Sequence, residues 1–166
     1  MDNRYKKMII SDSLYKMITH LMPIACVDLL VVNAAKEVLM VKRNNQPAMG
    51  EWWFPGGRIW FGETRVEAAV RKLKEECGLR AVKIDYVGTY DLMLERSDDG
   101  TISHAITSMY RMLVEEIDAI RLDSQSQDAR WLIMDKWLTL PLHSFVKERL
   151  SACARNDSYA DGLPKA

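Results

Sequence analysis

Residues 57–79 read GRIWFGETRVEAAVRKLKEECGL, and this stretch leaves its backbone few options. Gly56 and Gly57 end the apolar run before it. Thr64, followed three residues later by Glu67, has the form of a capping box, in which hydroxyl and carboxylate satisfy the open end of a helix. The helix is expected to run to about Cys77, with Gly78 suited to the left-handed residue that closes it. At about 100° per residue, Val66, Ala69, Val70, Leu73 and Cys77 share one face, which is expected to be buried. Lys72, Glu75 and Glu76 then fall on the side away from the core, an ammonium flanked by two carboxylates. Mg²⁺ takes oxygen ligands and usually keeps several waters, so two neighbouring glutamates with substrate phosphate oxygens suit it. Lys72 can pair with Glu76 at i+4 and argues for one metal ion over several. Capping accounts for Glu67. Arg71, one turn before Glu75, is read as a group that orients carboxylates.

Around this helix the pattern predicts a short helix over 13–21, a strand over 24–32, a turn over 33–36 and a second strand over 37–42. A loop over 44–53, with Pro47 and Gly50, leads into the glycines. Two long strands, 82–95 and 102–115, are expected to form a hairpin through Asp98-Asp99-Gly100. A strand over 129–133 and a helix over 142–154 follow. The fold class expected is α/β, a sandwich of helices around a mixed sheet.

With 166 residues, 48% of them hydrophobic, the chain can bury a sizeable core but is short for two domains. Residues 1–155 are read as one domain and 156–166 as a polar C-terminal tail. Lys plus Arg and Asp plus Glu number 23 each, so no global field favours nucleic acid or a membrane surface, and neither is expected as a partner. No stretch is long and apolar enough to span a bilayer, and the first residues lack a signal peptide's cleavage pattern. Cys26, Cys77 and Cys153 show no metal-ligand spacing, and a cytoplasmic, reducing setting is the simplest expectation.

Three residues outside the helix look chemical. Arg43 ends a strand ahead of Asn44, Asn45 and Gln46, and Arg58 directly follows the glycines, so both guanidinium groups are expected at the mouth that holds the glutamates. Their geometry favours bidentate contact with phosphate oxygens. Asp28 sits in an almost wholly apolar strand, Ile24 to Val32. A carboxylate there faces water at an edge or is buried for use, and a contact to a sugar hydroxyl or base edge is the expected reading.

Gly57, Glu63, Arg71, Leu73, Glu75, Glu76, Gly78 and Leu79 sit at the spacing G-x5-E-x7-R-E-U-x-E-E-x-G-U, U being a bulky apolar residue, which resembles the signature of the Nudix hydrolases. Lys72 departs from it, standing where that family usually has glutamate. The resemblance implies an α/β/α sandwich around a mixed β-sheet and metal-assisted hydrolysis of a nucleoside diphosphate linked to another group. Residues 23–64, with VDLLV, KEVLMVKRNNQPAMGEWWFPGGR and GET, further resemble the GDP-mannose mannosyl hydrolase subgroup, which cleaves the sugar C1–O bond. A weaker likeness reaches Arg130-Trp131-Leu132.

By that resemblance Gly56, Glu76 and Gln125 are implied as ligands of one Mg²⁺, or Mn²⁺ in its place, with Glu75 a further candidate. Asp28, Arg43, Arg58 and His104 are implied as substrate-site residues. Glu75, Glu76, Arg43, Arg58 and His104 are the implied catalytic set. The subgroup's histidine base is matched by Ser126, and a serine hydroxyl takes no proton from water near neutral pH without a partner. His104, Asp128 and Glu75 are left to supply that function. The substrate expected is a nucleotide sugar similar to GDP-mannose, released as sugar and nucleoside diphosphate, and the resemblance also implies a homodimer. A pyrophosphohydrolase that cuts the phosphoanhydride of a nucleotide sugar or nucleoside triphosphate, and a weakly catalytic nucleotide-binding domain, are the alternatives.

Overall fold

The almost continuous apolar run of Ile24–Asn33, the strand β1, suits it to the centre of the sheet, where it lies between β2 and β6. A computed structural model describes residues 10–96, 100–115, 120–122 and 126–155. The predicted turn at Asp98-Asp99 and the tail 156–166 lie outside the described residues. A helix α1 (Asp12–Leu21), capped by Ser11, precedes β1. The strands β2 (Glu37–Arg43), β3 (Trp52–Trp53), β4 (Gly56–Arg58), β5 (Lys83–Glu95), β6 (Ile102–Val114) and β7 (Ser126–Ile133) complete a seven-stranded sheet.

The sheet path is β3-β2-β1-β6-β5, with β4 paired to β1 and β7 to β2. β1 runs parallel to β6 from Ile24↔Ala105 to Asn33↔Val114, and antiparallel to β2 and β4. β5 and β6 form the expected antiparallel pair. The two glycines that end the apolar run lie in a strand of their own: Gly56 is opposite Asp28 and Gly57 opposite Val27. An added Cβ on Gly56 would meet the Val27 carbonyl oxygen at 2.3 Å, so only glycine permits this close pairing.

Strand alternation divides the core between the two faces. Val27, Leu29 and Val31 pack with Ala68, Ala69, Leu73 and Cys77 of α2 (Arg65–Cys77). Leu30, Val38 and Met40 pack with Trp137 of α3 (Met134–Leu138) and with Val146, Leu150 and Cys153 of α4 (Ser144–Arg155). Each fully buried Leu or Val contributes about 1.5–3 kcal/mol, and the Trp137 indole N–H is satisfied by the Val38 carbonyl at 2.9 Å. Helices thus cover both faces of a mixed sheet, the α/β sandwich expected. α3 was not anticipated from the sequence, because five residues carry too little periodicity to register.

The helix α2 begins and ends as predicted. Thr64 and Glu67 form the reciprocal capping box, and Gly78 takes the left-handed conformation at φ 72°. Its buried face, however, is rotated from the one expected. Val66 and Val70 are 45% and 47% exposed, while Ala68, Ala69, Lys72, Leu73, Glu76 and Cys77 are buried. The small alanines let the helix sit close over β1. The polar pair Lys72–Glu76 is enclosed because the two charges neutralise each other and the glycine backbone of β4 leaves room for them.

Candidate active site

Arg71 organises the exposed side of α2. Its Nη2 donates to Glu63 Oε2 at 2.8 Å and to the Arg58 carbonyl at 3.0 Å, its Nη1 donates to Glu75 Oε2 at 3.0 Å, and its Nε is paired with Glu63 Oε1. The guanidinium lies 3.8 Å from the centre of the Trp60 ring. Burial would raise the Glu63 carboxyl, but the Arg71 bonds and the Trp60 N–H outweigh it and hold that group below its ordinary range. Arg71 therefore orients Glu63 and Glu75, as its position in the sequence suggested. Glu63 itself serves as its anchor.

Beneath this layer lies the buried pair. Glu76, 4% exposed, is ion-paired through Oε1 with the Lys72 ammonium and accepts the Gly56 N–H through Oε2 at 2.9 Å. The expectation that Lys72 and Glu76 face away from the core is corrected here. Glu75 remains on the outer side, its side chain 42% exposed.

A pocket of about 470 Å³ opens beside the pair. Ile24, Cys26 and Asp28 of β1 line it together with Ser103, Ala105 and Thr107 of β6 and Leu92 and Leu94 of β5. Arg43, Arg58, Lys72 and Glu75 also line it. Asp28, Arg43, Arg58, Gly56 and Glu75 thus line one pocket, although they come from β1, β2, β4 and α2. Asp28 is not an edge residue: it is 7% exposed in a central strand, and Thr107 Oγ1 donates to its Oδ2 at 3.0 Å. Burial pushes its carboxyl up to about 7, against the opposing pull of the Thr107 hydrogen bond and Arg43 and with the help of the Glu76 charge. Cys26 is pushed up to about 12, chiefly by burial, so it stays a thiol near neutral pH and is a poor nucleophile.

The raised Asp28 carboxyl carries a signed stability consequence. The folded protein holds its proton up to about pH 7, whereas the ordinary value is 3.8, so stability falls as pH rises through that window. Above pH 7 the full penalty, roughly 3–5 kcal/mol, is present. Asp28→Asn removes it and should be more stable than the wild type at pH 8 and much closer to it at pH 4. Urea denaturation at both pH values checks this. A stability difference independent of pH would show that Asp28 titrates normally.

Two expected site residues stand apart. His104 is not brought to the pocket: Ser103, Ala105 and Thr107 line it, and strand alternation turns His104 to the opposite face, where its Nε2 lies 3.4 Å from Asp91. His104, expected as a catalytic and substrate-binding residue, thus lies outside the lining of this pocket. Asp128 pairs with Arg130 and does not line the pocket. Gln125 lies outside the described residues. Ser126 opens β7 opposite Arg43.

Residues the sequence reading passed over complete the wall. Tyr15 and Asp12 of α1 line the rim, and the Arg58 guanidinium lies 5.3 Å from the Tyr15 ring centre. The periodicity of α1 marks a helix but does not say which strand ends it crosses. Thr107 is a short hydroxyl in an apolar strand, and only the parallel β1–β6 register brings it to Asp28.

A divalent ion could use Glu75, Glu76 and the Gly56 carbonyl. Glu75 has one oxygen on Arg71, and Glu76 meets the Lys72 ammonium through one oxygen and the Gly56 N–H through the other. Among the described residues no group of three or more His, Cys, Asp or Glu forms a metal cluster. This donor set fits a single Mg²⁺ shared with substrate oxygens and water.

The comparisons with known proteins agree with this architecture. The NUDIX domain family model matches residues 22–152. The chain is 31% identical over 118 residues to the low-salt glycan biosynthesis protein Agl8 of Haloferax volcanii, covering 70% of this chain and 74% of that one. It is 40% identical over 88 residues to an ADP-ribose pyrophosphatase of Methanocaldococcus jannaschii, about half of each protein (52% and 52%). Among solved structures, a MutT protein from Methanosarcina mazei Go1 superposes with a TM-score of 0.67 at 23% identity, covering 81% of this chain and 97% of that one. The NUDIX domain of Shewanella oneidensis NrtR, crystallised with ADP ribose, gives 0.67 at 19% identity, with 87% and 97% covered. A glycine strand that admits the helix, a capped helix carrying the Arg71-ordered glutamates, and a family match across most of the sheet lead to one conclusion: this chain belongs to the Nudix family of hydrolases.

Proposed function

We propose that the chain hydrolyses a nucleoside-diphosphate sugar, similar to GDP-mannose, releasing sugar and nucleoside diphosphate. The convergence of Arg43, Arg58 and Lys72 with the buried Asp28 carboxylate in one pocket carries this reading. The cations suit a diphosphate, and a buried carboxylate suits a sugar hydroxyl that donates to it. The partial likeness to a glycan biosynthesis protein supports a sugar substrate.

Arg43 and Arg58 hold the diphosphate and stabilise the charge that grows on it as the bond breaks. Of the three candidate bases, Glu75, His104 and Asp128, Glu75 is the one that lines the pocket, and it takes the proton from water. The water oxygen bonds to the sugar C1, the C1–O bond breaks, its electron pair leaves on the diphosphate, and Glu75 keeps the proton. Glu76 and the Gly56 carbonyl would hold a Mg²⁺ ion, which would supply further neutralisation of the diphosphate. Chemistry of this kind needs no nucleic-acid or membrane partner.

Cleavage at phosphorus is the second reading, favoured by the likeness to an ADP-ribose pyrophosphatase. A product assay over a panel of nucleotide sugars with Mg²⁺, run in ¹⁸O water, separates the two. Label in free sugar is expected, together with nucleoside diphosphate. Label in sugar phosphate or nucleotide would replace the first reading with the second, and tight binding without turnover would reduce the chain to a nucleotide-binding domain.

A further inference from the structure

We infer that Lys72 is a substrate-binding cation: its ammonium, fixed between Glu76 and the glycine strand β4, meets the substrate diphosphate at the inner end of the pocket. This rests on the diphosphate reading above and goes beyond it by assigning a built-in charge to a position where the family pattern has glutamate.

Three observations carry the inference. Lys72 lines the pocket although its side chain is only 8% exposed, so its tip reaches the cavity from within the fold. A space is built for that tip. A Cβ on Gly57 would stand 3.0 Å from Lys72 Cε and 3.3 Å from Nζ, and Gly57 holds φ 147°, a conformation that side-chain-bearing residues rarely adopt. Finally, an ammonium has three N–H donors, and Glu76 is the partner the structure gives it. The remaining donors are available to a ligand in the pocket. Glutamate at position 72 would place a second buried negative charge against Glu76, which would need a metal ion to balance it. The ammonium provides that balance from the chain itself and leaves the Lys72–Glu76 pair neutral before any ligand arrives.

Calorimetric titration of ADP and GDP, with EDTA or with Mg²⁺, tests the assignment on wild type, Lys72→Met and the double variant K72M/E76Q. The double variant removes both charges together and so keeps the fold free of an unpaired buried ion, with its melting temperature as the check. Wild type is expected to bind nucleoside diphosphate in EDTA, and both variants to bind at least tenfold more weakly under that condition. Lys72→Glu is expected to take up an additional Mn²⁺ in the presence of ADP. Equal affinity of wild type and folded K72M/E76Q in EDTA overturns the inference, as does an unchanged Mn²⁺ count in Lys72→Glu. If wild type binds only with Mg²⁺, Lys72 is a structural partner of Glu76 and the diphosphate reading stands. Should it bind neither nucleotide under either condition, the diphosphate reading falls, and the role of Lys72 with it.

Discussion

Glu76→Gln should lower kcat/KM by about 10²–10³-fold, the range seen when one preorganised charged or hydrogen-bonding group is removed from a developing anion. Glu76 accepts the Gly56 N–H and pairs with the Lys72 ammonium, so its charge fixes the position of two groups that line the pocket. The substitution also leaves Lys72 buried beside a neutral amide. Removing one partner of a buried ion pair typically costs about 3–5 kcal/mol, less here because the Gln oxygen still accepts a hydrogen bond. Activity and melting temperature must therefore be measured together. A folded Glu76→Gln protein with kcat/KM within threefold of wild type would remove Glu76 from the site.

The second large effect is on the fold. Gly56→Ala should destabilise the protein by about 3 kcal/mol or more, because the added methyl would stand 2.3 Å from the Val27 carbonyl oxygen and 2.9 Å from Asp28 Oδ1. A loss of that size corresponds to about 6–12 °C in melting temperature for a protein of this length. The obstructing atom is backbone in the central strand, so it cannot rotate aside. Gly50→Ala is the control: its Cβ would meet nothing within 4 Å, and only the positive φ of 83° opposes it. That strain amounts to about 1–2 kcal/mol. Equal losses in the two variants would show that β4 can move away from β1.

Both predictions depend on how α2 sits, and there the sequence was half sufficient. The capping box at Thr64 and Glu67, the stop at Gly78, the Lys72–Glu76 pairing and the orienting role of Arg71 were legible because each is a local interaction between residues at most eight apart. The apolar wheel misassigned the buried face because it ranks side chains by hydrophobicity. It could not see that a neutralised ion pair would be enclosed against glycine while two valines stayed outside. His104 illustrates the same limit: a one-residue difference in strand parity decides which face of the sheet a side chain meets, and only the paired register fixes that parity.

The sequence by itself determined a capped, glutamate-bearing helix behind a glycine pair, flanked by alternating strands, and with it the family and the α/β class. Local propensity, capping and periodicity are short-range quantities written directly into residue order. Tertiary structure alone decided that Asp28 meets Thr107 from 79 residues away, that Lys72 lies in the pocket wall, and that His104 does not. Those outcomes follow from the parallel pairing of β1 with β6 and the close approach of α2 to β4, where burial, charge neutralisation and backbone space are settled between segments distant in the chain.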